Sequence, residues 1–409
     1  MSGFFTPSTL QQSKPTNSKL AQCGSCGLSK KCSSPKIPLQ GKGEKGILLV
    51  GEFPKSEEDK QGRFFCGSAG QFLRRQIDQL GISLEQDCWL SNALICRPPK
   101  GEDTFDAFAE YCRPNIMREI EDHRPRIIIL LGSLAVKSVI GGIWKPNPGG
   151  IGQWAGFQVP SQKLNAWICP VFDPSFVSKH SDMNERGGNP AVEVWWKRHL
   201  ESVFALEGRP WEDGIRDYDS EIRVLWESDK VAKAVAWFIR KKIPCAIDFE
   251  TDGLKPDNPD RRIASCAISN GERTISFLWN EETRKIAAEL FFSGIPKFAA
   301  NAKFEQRWCI AEYGKPMVNM RWDTVLGAHL LDNRRSITSV KFQAFVQLGY
   351  SGSHKQRRYD EVAKGYFQAD GGNDGNRIFE MDMTQLLHYG GLDALLEWEI
   401  AMKQRKQFQ

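Results

Sequence analysis

No run of about eighteen apolar residues occurs anywhere in the 409-residue chain, which leaves no candidate for a membrane-spanning helix. The opening stretch, MSGFFTPSTLQQSKPTNSK, lacks the apolar core of a secretory signal. Charge of one sign is scarce too: 55 basic against 50 acidic residues leave a net charge of +5. That balance admits nucleic acid as a partner without pointing to it. Disulfides are not expected either. Without a secretory signal the setting reads as reducing and cytoplasmic, and eleven cysteines, an odd number, read as thiols or metal ligands. Internal repeats are absent, and the length exceeds what one core usually serves, so two domains are expected.

What is present alternates. Residues 1–20, rich in Ser, Thr, Gln and Pro, read as a flexible leader. GILLVGEFP is a buried strand entering a loop, and AGQFLRRQIDQLGI has helical spacing and stops at Gly81. DCWLSNALICRPP, RPRIIILLGSLAVKSVIGG and AWICPVFDPSF read as strand-loop, strand-helix and strand-loop. This order indicates a three-layer α/β domain over 21–205 with a mostly parallel sheet, whose ligands bind beyond the carboxyl ends of its strands. The charged stretch 206–221 reads as a linker. A second domain, 222–409, opens with the helix SDKVAKAVAWFIRKK and the strands PCAIDFETDGL, IASCAISN and TISFLW, then turns mainly helical from about 282, with a loop at 368–376.

Cys23 and Cys26 form a C-x2-C pair that can grip a metal centre, and Cys96 and Cys112, each placed after an expected strand, add a C-x15-C pair. That second spacing fits structural zinc poorly and a [4Fe–4S] cluster well. Cys96 and Cys112 read equally as small buried residues, so spacing alone leaves the two accounts even.

The neighbouring residues break the tie. GEFPKSEEDKQGRFFCGSAGQFL, SNALICRPP and ILLGSLAV together resemble the family 4 uracil-DNA glycosylases across roughly residues 20–200, without a gap through the first block. The resemblance implies that fold, with Cys23, Cys26, Cys96 and Cys112 holding a [4Fe–4S] cluster, while Cys32, Cys66, Cys88 and Cys169 match no ligand. It further implies a pocket for a flipped base. There Phe65 stacks on the base, Asn92 reads its edge, Glu52 lies near the scissile bond and Glu58 crowds the ring where thymine carries a methyl. Phe53 and Lys55 depart from the motif, which has a small residue and a glycine there. Asp173 stands where the family has the histidine that stabilises the departing base, and His180 is a remote substitute. The implied outcome is a domain that binds DNA with weak or absent excision.

In the second half, Asp248 and Glu250 lie two apart on one strand and so share a face. Asn301 and Glu305, then Tyr389 and Asp393, are each spaced by one helical turn. This order resembles the DEDDy 3′–5′ exonucleases, above all the proofreading domain of family A DNA polymerases, over about 222–405. The resemblance implies a ribonuclease-H-like α/β fold and two-metal hydrolysis, with Asp248, Glu250, Glu305 and Asp393 binding two Mg²⁺ or Mn²⁺ ions and Tyr389 orienting water. Glu305 departs from the usual Asp. Asp323 matches a secondary, structural acid.

The combined reading is a 3′–5′ DNA exonuclease acting on single-stranded or frayed 3′ ends. It is fused to an Fe–S glycosylase-like module, as in phage polymerases that carry both, and works with a separate family A polymerase in trans in bacterial or phage-infected cytoplasm. Two alternatives compete with it: an active uracil-repair glycosylase with an attached exonuclease, and a non-catalytic DNA-binding accessory subunit.

Overall fold

The computed structural model describes residues 21–101, 105–181, 188–352, 363, 365–368 and 374–408. The leader expected at 1–20 and most of the loop expected at 368–376 therefore lie outside the described residues. The chain divides into two compact units, residues 1–151 with 170–204, and residues 152–169 with 205–409. No helix among the described residues is long and apolar enough to cross a membrane.

One five-stranded sheet has the order β2-β1-β3-β5-β4, formed by β1 (Ile47–Gly51), β2 (Cys88–Asn92), β3 (Ile127–Leu131), β4 (Val159–Ser161) and β5 (Ala166–Val171). β1 runs parallel to both β2 and β3, whereas β4 and β5 are antiparallel. The strands β1 and β3 are buried along their whole length, as their unbroken apolar sequences require when helices cover both faces. Cys112 does not follow a strand. It lies inside the helix Phe105–His123, which carries Pro114 internally. The apolar and polar residues around EYCRPNI have no strand alternation, and the helix absorbs the proline.

The other sheet has six strands in the order β11-β10-β7-β8-β9-β6. They are β6 (Ile222–Leu225), β7 (Cys245–Thr251), β8 (Ile263–Ser269), β9 (Thr274–Leu278), β10 (Lys297–Ala299) and β11 (Met320–Asp323). β7 pairs antiparallel with β8 and parallel with β10, placing its side chains in the middle of the sheet. The long helix Met383–Gln407 packs on this sheet through Leu392, Leu395, Leu396 and Ile400. Three short strands, β6, β10 and β11, carry too few residues to show a period, which is why only helices were legible around two of them. In the stretch 206–221, Tyr218 is buried against Ile222 and Leu392, and Arg216 pairs with Glu221 and Glu399.

Candidate functional site

The residues singled out in the sequence fall into three constellations. Cys23 and Cys26 bracket one helical turn, closed by Gly27 in the left-handed conformation. Cys96 comes from the loop after β2, and Cys112 from the helix Phe105–His123. All four thiols line one small apolar cavity together with Leu28, Leu94 and Ile95. The Cys96 Sγ accepts from the Lys36 N–H at 3.2 Å, and the Cys112 Sγ from Asn115 Nδ2 at 3.4 Å. Backbone N–H groups of Leu28 and Ile95 donate to Cys26 and Cys112. Burial pushes the Cys96 thiol up to about 12, and the Cys26 and Cys112 thiols upward as well. Cys32, which matched no ligand, stands beside Cys96 and forms a hydrogen bond with it.

The loop after β1 and the end of β2 build the second constellation. A Cβ on Gly51 would fall 2.2 Å from the Asn92 Oδ1 and 3.1 Å from the Phe65 ring, so glycine there leaves the amide and the ring side by side. Phe65 itself has φ 53°, unusual for a bulky residue. Glu58 holds it: one carboxylate oxygen accepts from the Phe65 N–H at 2.6 Å, the other from the Lys55 N–H at 2.7 Å. The carboxylate expected against a base ring is thus engaged with backbone at both oxygens. Glu52 accepts from the Leu134 N–H at 3.1 Å, and burial, reinforced by Asp173, raises its pKa.

The departures from the motif are placed together or packed away. Phe53 stacks on Phe105 with ring centroids 5.1 Å apart, inside the apolar cluster that contains Cys26, Cys96 and Cys112. Lys55 Nζ lies 3.6 Å from the Asp173 carboxylate and donates to the Ser175 hydroxyl at 2.7 Å. Asp173 is the N-cap of the helix Pro174–His180 and accepts from the Ser175 N–H at 2.8 Å. His180 bonds back to the Phe176 carbonyl and stacks on the exposed Phe176 ring.

The third constellation is acidic. Asp248 and Glu250 project from the central strand β7, and Glu305 from the helix Lys303–Tyr313. Tyr389 and Asp393 come from the helix Met383–Gln407. A Cβ on Gly390 would lie 3.3 Å from the Glu250 Cγ and 3.5 Å from the Asp248 Oδ2, so the helix runs close against the two strand acids at this glycine. Asn301 is not on a helix turn with Glu305. It precedes the helix with φ 57°, and its N–H and that of Ala302 donate to Asp323. Asp323 also caps the helix Thr324–Leu331, so one carboxylate fastens the starts of two helices.

Two residues here escaped the sequence reading. Glu397, one turn beyond Asp393, is 2% exposed, as is Glu305. Lys341 holds its Nζ 4.9 Å over the Tyr389 ring and acts on Glu250. Burial first, then the neighbouring carboxylates, raise Asp248, Glu250, Glu305 and Glu397 well above the ordinary carboxylate range. Asp248 Oδ2, Glu305 Oε2 and Glu397 Oε2 are buried without a hydrogen-bond partner. Buried polar atoms are nearly always satisfied, so three orphaned acid oxygens on three elements are consistent with a place for cations. Neither thiols nor acids close on a point: among the described residues, no group of three or more His, Cys, Asp or Glu is arranged to hold a single ion.

Comparison with known proteins bears on the first of the two halves. Residues 38–197 match the uracil DNA glycosylase superfamily. The type-4 uracil-DNA glycosylase of Pyrobaculum aerophilum is 33% identical over 121 residues, covering 30% of this chain and 61% of that protein. That of Saccharolobus solfataricus is 37% identical over 115 residues, covering 28% and 52%. The Thermotoga maritima type-4 enzyme is 29% identical over 163 residues, covering 37% and 80%. The chain thus spans only 61% of the first of these relatives and 52% of the second. Among solved structures, the catalytic core of RRP6 from Trypanosoma brucei is 15% identical, covers 46% of each chain and gives a TM-score of 0.35. Escherichia coli RNase D, an exoribonuclease involved in structured RNA processing, is 11% identical, covers 46% of this chain and 44% of its own, and gives 0.34. Likenesses of this strength carry no argument, and the reading of the acidic cluster rests on its own residues.

Proposed function

We propose that the acidic cluster is the centre of a metal-dependent 3′–5′ exonuclease acting on DNA, and that the glycosylase-like half holds DNA without excising a base efficiently. One observation carries the first part. Half-buried Asp248 and buried Glu305 and Glu397, on three separate elements, each keep a buried oxygen that no protein donor satisfies. Hard oxygen donors of this kind suit Mg²⁺ or Mn²⁺. Divalent ions bound there would activate water and stabilise the leaving oxygen of a phosphodiester. Asp248, Glu250, Glu305 and Asp393 hold them. The Tyr389 hydroxyl orients the attacking water, and Lys341 keeps a positive charge beside the tyrosine ring and Glu250. Glu305 lies buried in the first turn of the helix Lys303–Tyr313.

In the other half, the four thiols around one apolar cavity support a [4Fe–4S] cluster held by Cys23, Cys26, Cys96 and Cys112. A single zinc ion, with sulfur at about 2.3 Å, needs all four on one point, whereas a cluster needs them spread around a volume and favours N–H donors to sulfur. Its contribution here is to tie the N-terminal turn, the loop after β2 and one helix together.

Asp173 decides the excision question. Breaking a glycosidic bond pushes electrons onto the departing base, and an ionised carboxylate can only accept hydrogen bonds. Lys55 is engaged by Asp173 and Ser175 instead of being free for a base. Phe65 and Asn92 remain side by side, which supports selective holding of a uracil or modified pyrimidine.

The test is to incubate the full chain with end-labelled plain and uracil-containing single strands, with and without Mg²⁺. The expected result is a Mg²⁺-dependent ladder shortening from the 3′ end with few alkali-labile breaks at uracil. No shortening on DNA would overturn the nuclease reading, and abundant breaks at uracil would overturn the reading of the glycosylase-like half.

A further inference from the structure

We propose that the Arg261 guanidinium is a phosphate-binding group for the strand being shortened, holding one backbone phosphate upstream of the 3′-terminal linkage. The inference rests on the nuclease reading and extends it with a substrate-binding residue outside the acids, Tyr389 and Lys341.

Arg261 lies near the end of the loop 252–262, which joins β7 to β8. That loop leaves β7 at Thr251, one residue beyond Glu250, and so borders the carboxyl end of the strand that carries Asp248 and Glu250. Its fastenings reach the other parts of the site. Asp257 pairs with Arg307, two residues beyond Glu305 on the helix Lys303–Tyr313. Asn376 donates through its N–H to the Asp252 carbonyl and through Nδ2 to the Thr251 carbonyl. Two residues past Asn376, Ile378 belongs to the apolar cluster against which Tyr389 packs.

The side chain of Arg261 occupies a slot between two glycines. A Cβ on Gly253 would fall 2.9 Å from the Arg261 Cδ, and one on Gly375 would overlap Nη1, so both positions leave room for the stem and the head group. In that slot the Nε is buried without a partner, while the residue as a whole is half-buried. Two carboxylates of the same loop are engaged elsewhere: Asp252 accepts from the Arg262 N–H at 2.6 Å, and Asp257 from Arg307 at 2.6 Å. Arg262 itself lies 4.5 Å over the Phe379 ring.

Other arginines of this half show what a structural role looks like. Arg334 donates to Asp332 and to the carbonyls of Gln153 and Ala155, and Arg216 pairs with Glu221 and Glu399. Arg261 has no such partner among the described residues. A cation enclosed along its stem and left without a protein anion is placed to receive an anion from outside. The planar fork of arginine matches two oxygens of a phosphate. At the border of a site for phosphodiester hydrolysis, that anion is the backbone of the nucleic-acid strand.

The experiment follows Mg²⁺-dependent release of the 3′-terminal nucleotide by the full chain. The substrates are single strands carrying one neutral methylphosphonate, moved stepwise upstream from the linkage behind the scissile one. The parent should lose about 10–100-fold in kcat/KM when the neutral linkage stands at one particular position. In Arg261→Gln, KM for the unmodified strand should rise by a similar factor with kcat changed less, and the neutral linkage at that position should cost nothing further. The fall of log kcat/KM with log salt should be shallower by about 0.7. Arg261→Lys keeps the charge but not the fork. It should retain the salt dependence and recover part of the loss, and it serves if the glutamine variant melts below the parent. Parent-like KM in both variants, or the same penalty at every neutral linkage in parent and variants, would overturn the role of Arg261 and leave the nuclease standing. No release by the parent would overturn the nuclease reading and this inference with it.

Discussion

The two halves treat unusual charged residues in opposite ways. In the glycosylase-like half, the two departures from the family motif answer each other: Lys55 pairs with Asp173, 118 positions later in the chain, and Ser175 joins both. Asp173 is further employed as a helix cap. In the other half, Glu305, a departure from its motif, and the neighbouring Glu397 both keep an oxygen without a partner. A folded chain that satisfies its odd charges internally has little left to offer a ligand there. A chain that leaves them orphaned has kept a place open, because an unpaired buried carboxylate costs free energy until something arrives to compensate it.

The sharpest way to break this contrast is Asp248→Ala, which should reduce 3′-end shortening of labelled DNA to background, because it removes a central acid from the cluster. Shortening at the parent rate would mean that the orphaned acids serve no nuclease.

A smaller but still large effect is expected in the other half. Asp173→His restores a donor where the departing base needs one, and such a donor is worth about 10²–10³ in rate. The variant frees Lys55, so Asp173→His combined with Lys55→Gly should release more uracil than the single change. An unchanged, negligible release in both would show that the pocket is blocked by something other than this pair.

The pH dependence sharpens the comparison further. Asp248, Glu250, Glu305 and Glu397 have raised pKa values in the folded state, chiefly through burial. In the metal-free fold they hold protons that the unfolded chain has released, so stability is greatest in the ordinary carboxylate range and falls as pH rises above it. Unfolding followed by circular dichroism should show this decline without metal, and Mg²⁺ should reverse it increasingly toward higher pH. A metal-free stability that climbs with pH across that window would contradict the charge placement.

The smallest effect concerns the satisfied pair. Asp173→Ala removes a helix cap and should cost about 1 kcal/mol, whereas Asp173→Asn keeps the cap. The asparagine variant loses only an ion pair to a partly exposed lysine, worth about 0–1 kcal/mol. Equal losses in the two variants would show that the ion pair, not the cap, dominates.

Much of this was legible in the sequence because it depends on local spacing. Asp248 and Glu250 two apart on an apolar run fix a shared face, and the alternation of strands with helices gives the layered architecture of the first half. What escaped depends on distance or on backbone. Nothing in FDPS says that its aspartate meets Lys55. Nothing in NAKFE says that Asn301 adopts a left-handed conformation ahead of the helix rather than a turn within it. Cys112 reads as following a strand until Pro114 proves to sit inside a helix. Glu397 was findable. It follows Asp393 by one turn within DALLEWEI, flanked by Leu395, Leu396 and Ile400, all buried, so a charged side chain there interrupts an apolar face and asks for a partner.

The constraint on Phe65 has a consequence of its own. Its backbone is held at φ 53° by a 2.6 Å hydrogen bond to Glu58, and the residue is 7% exposed. A ring already fixed in this way has almost no rotamer entropy left to lose when a flat partner settles against it. Ordering costs of about 0.5–1.5 kcal/mol per side chain are met during folding, not during association. Loosening Glu58 would therefore act on the entropy of binding and on how long a flat partner stays.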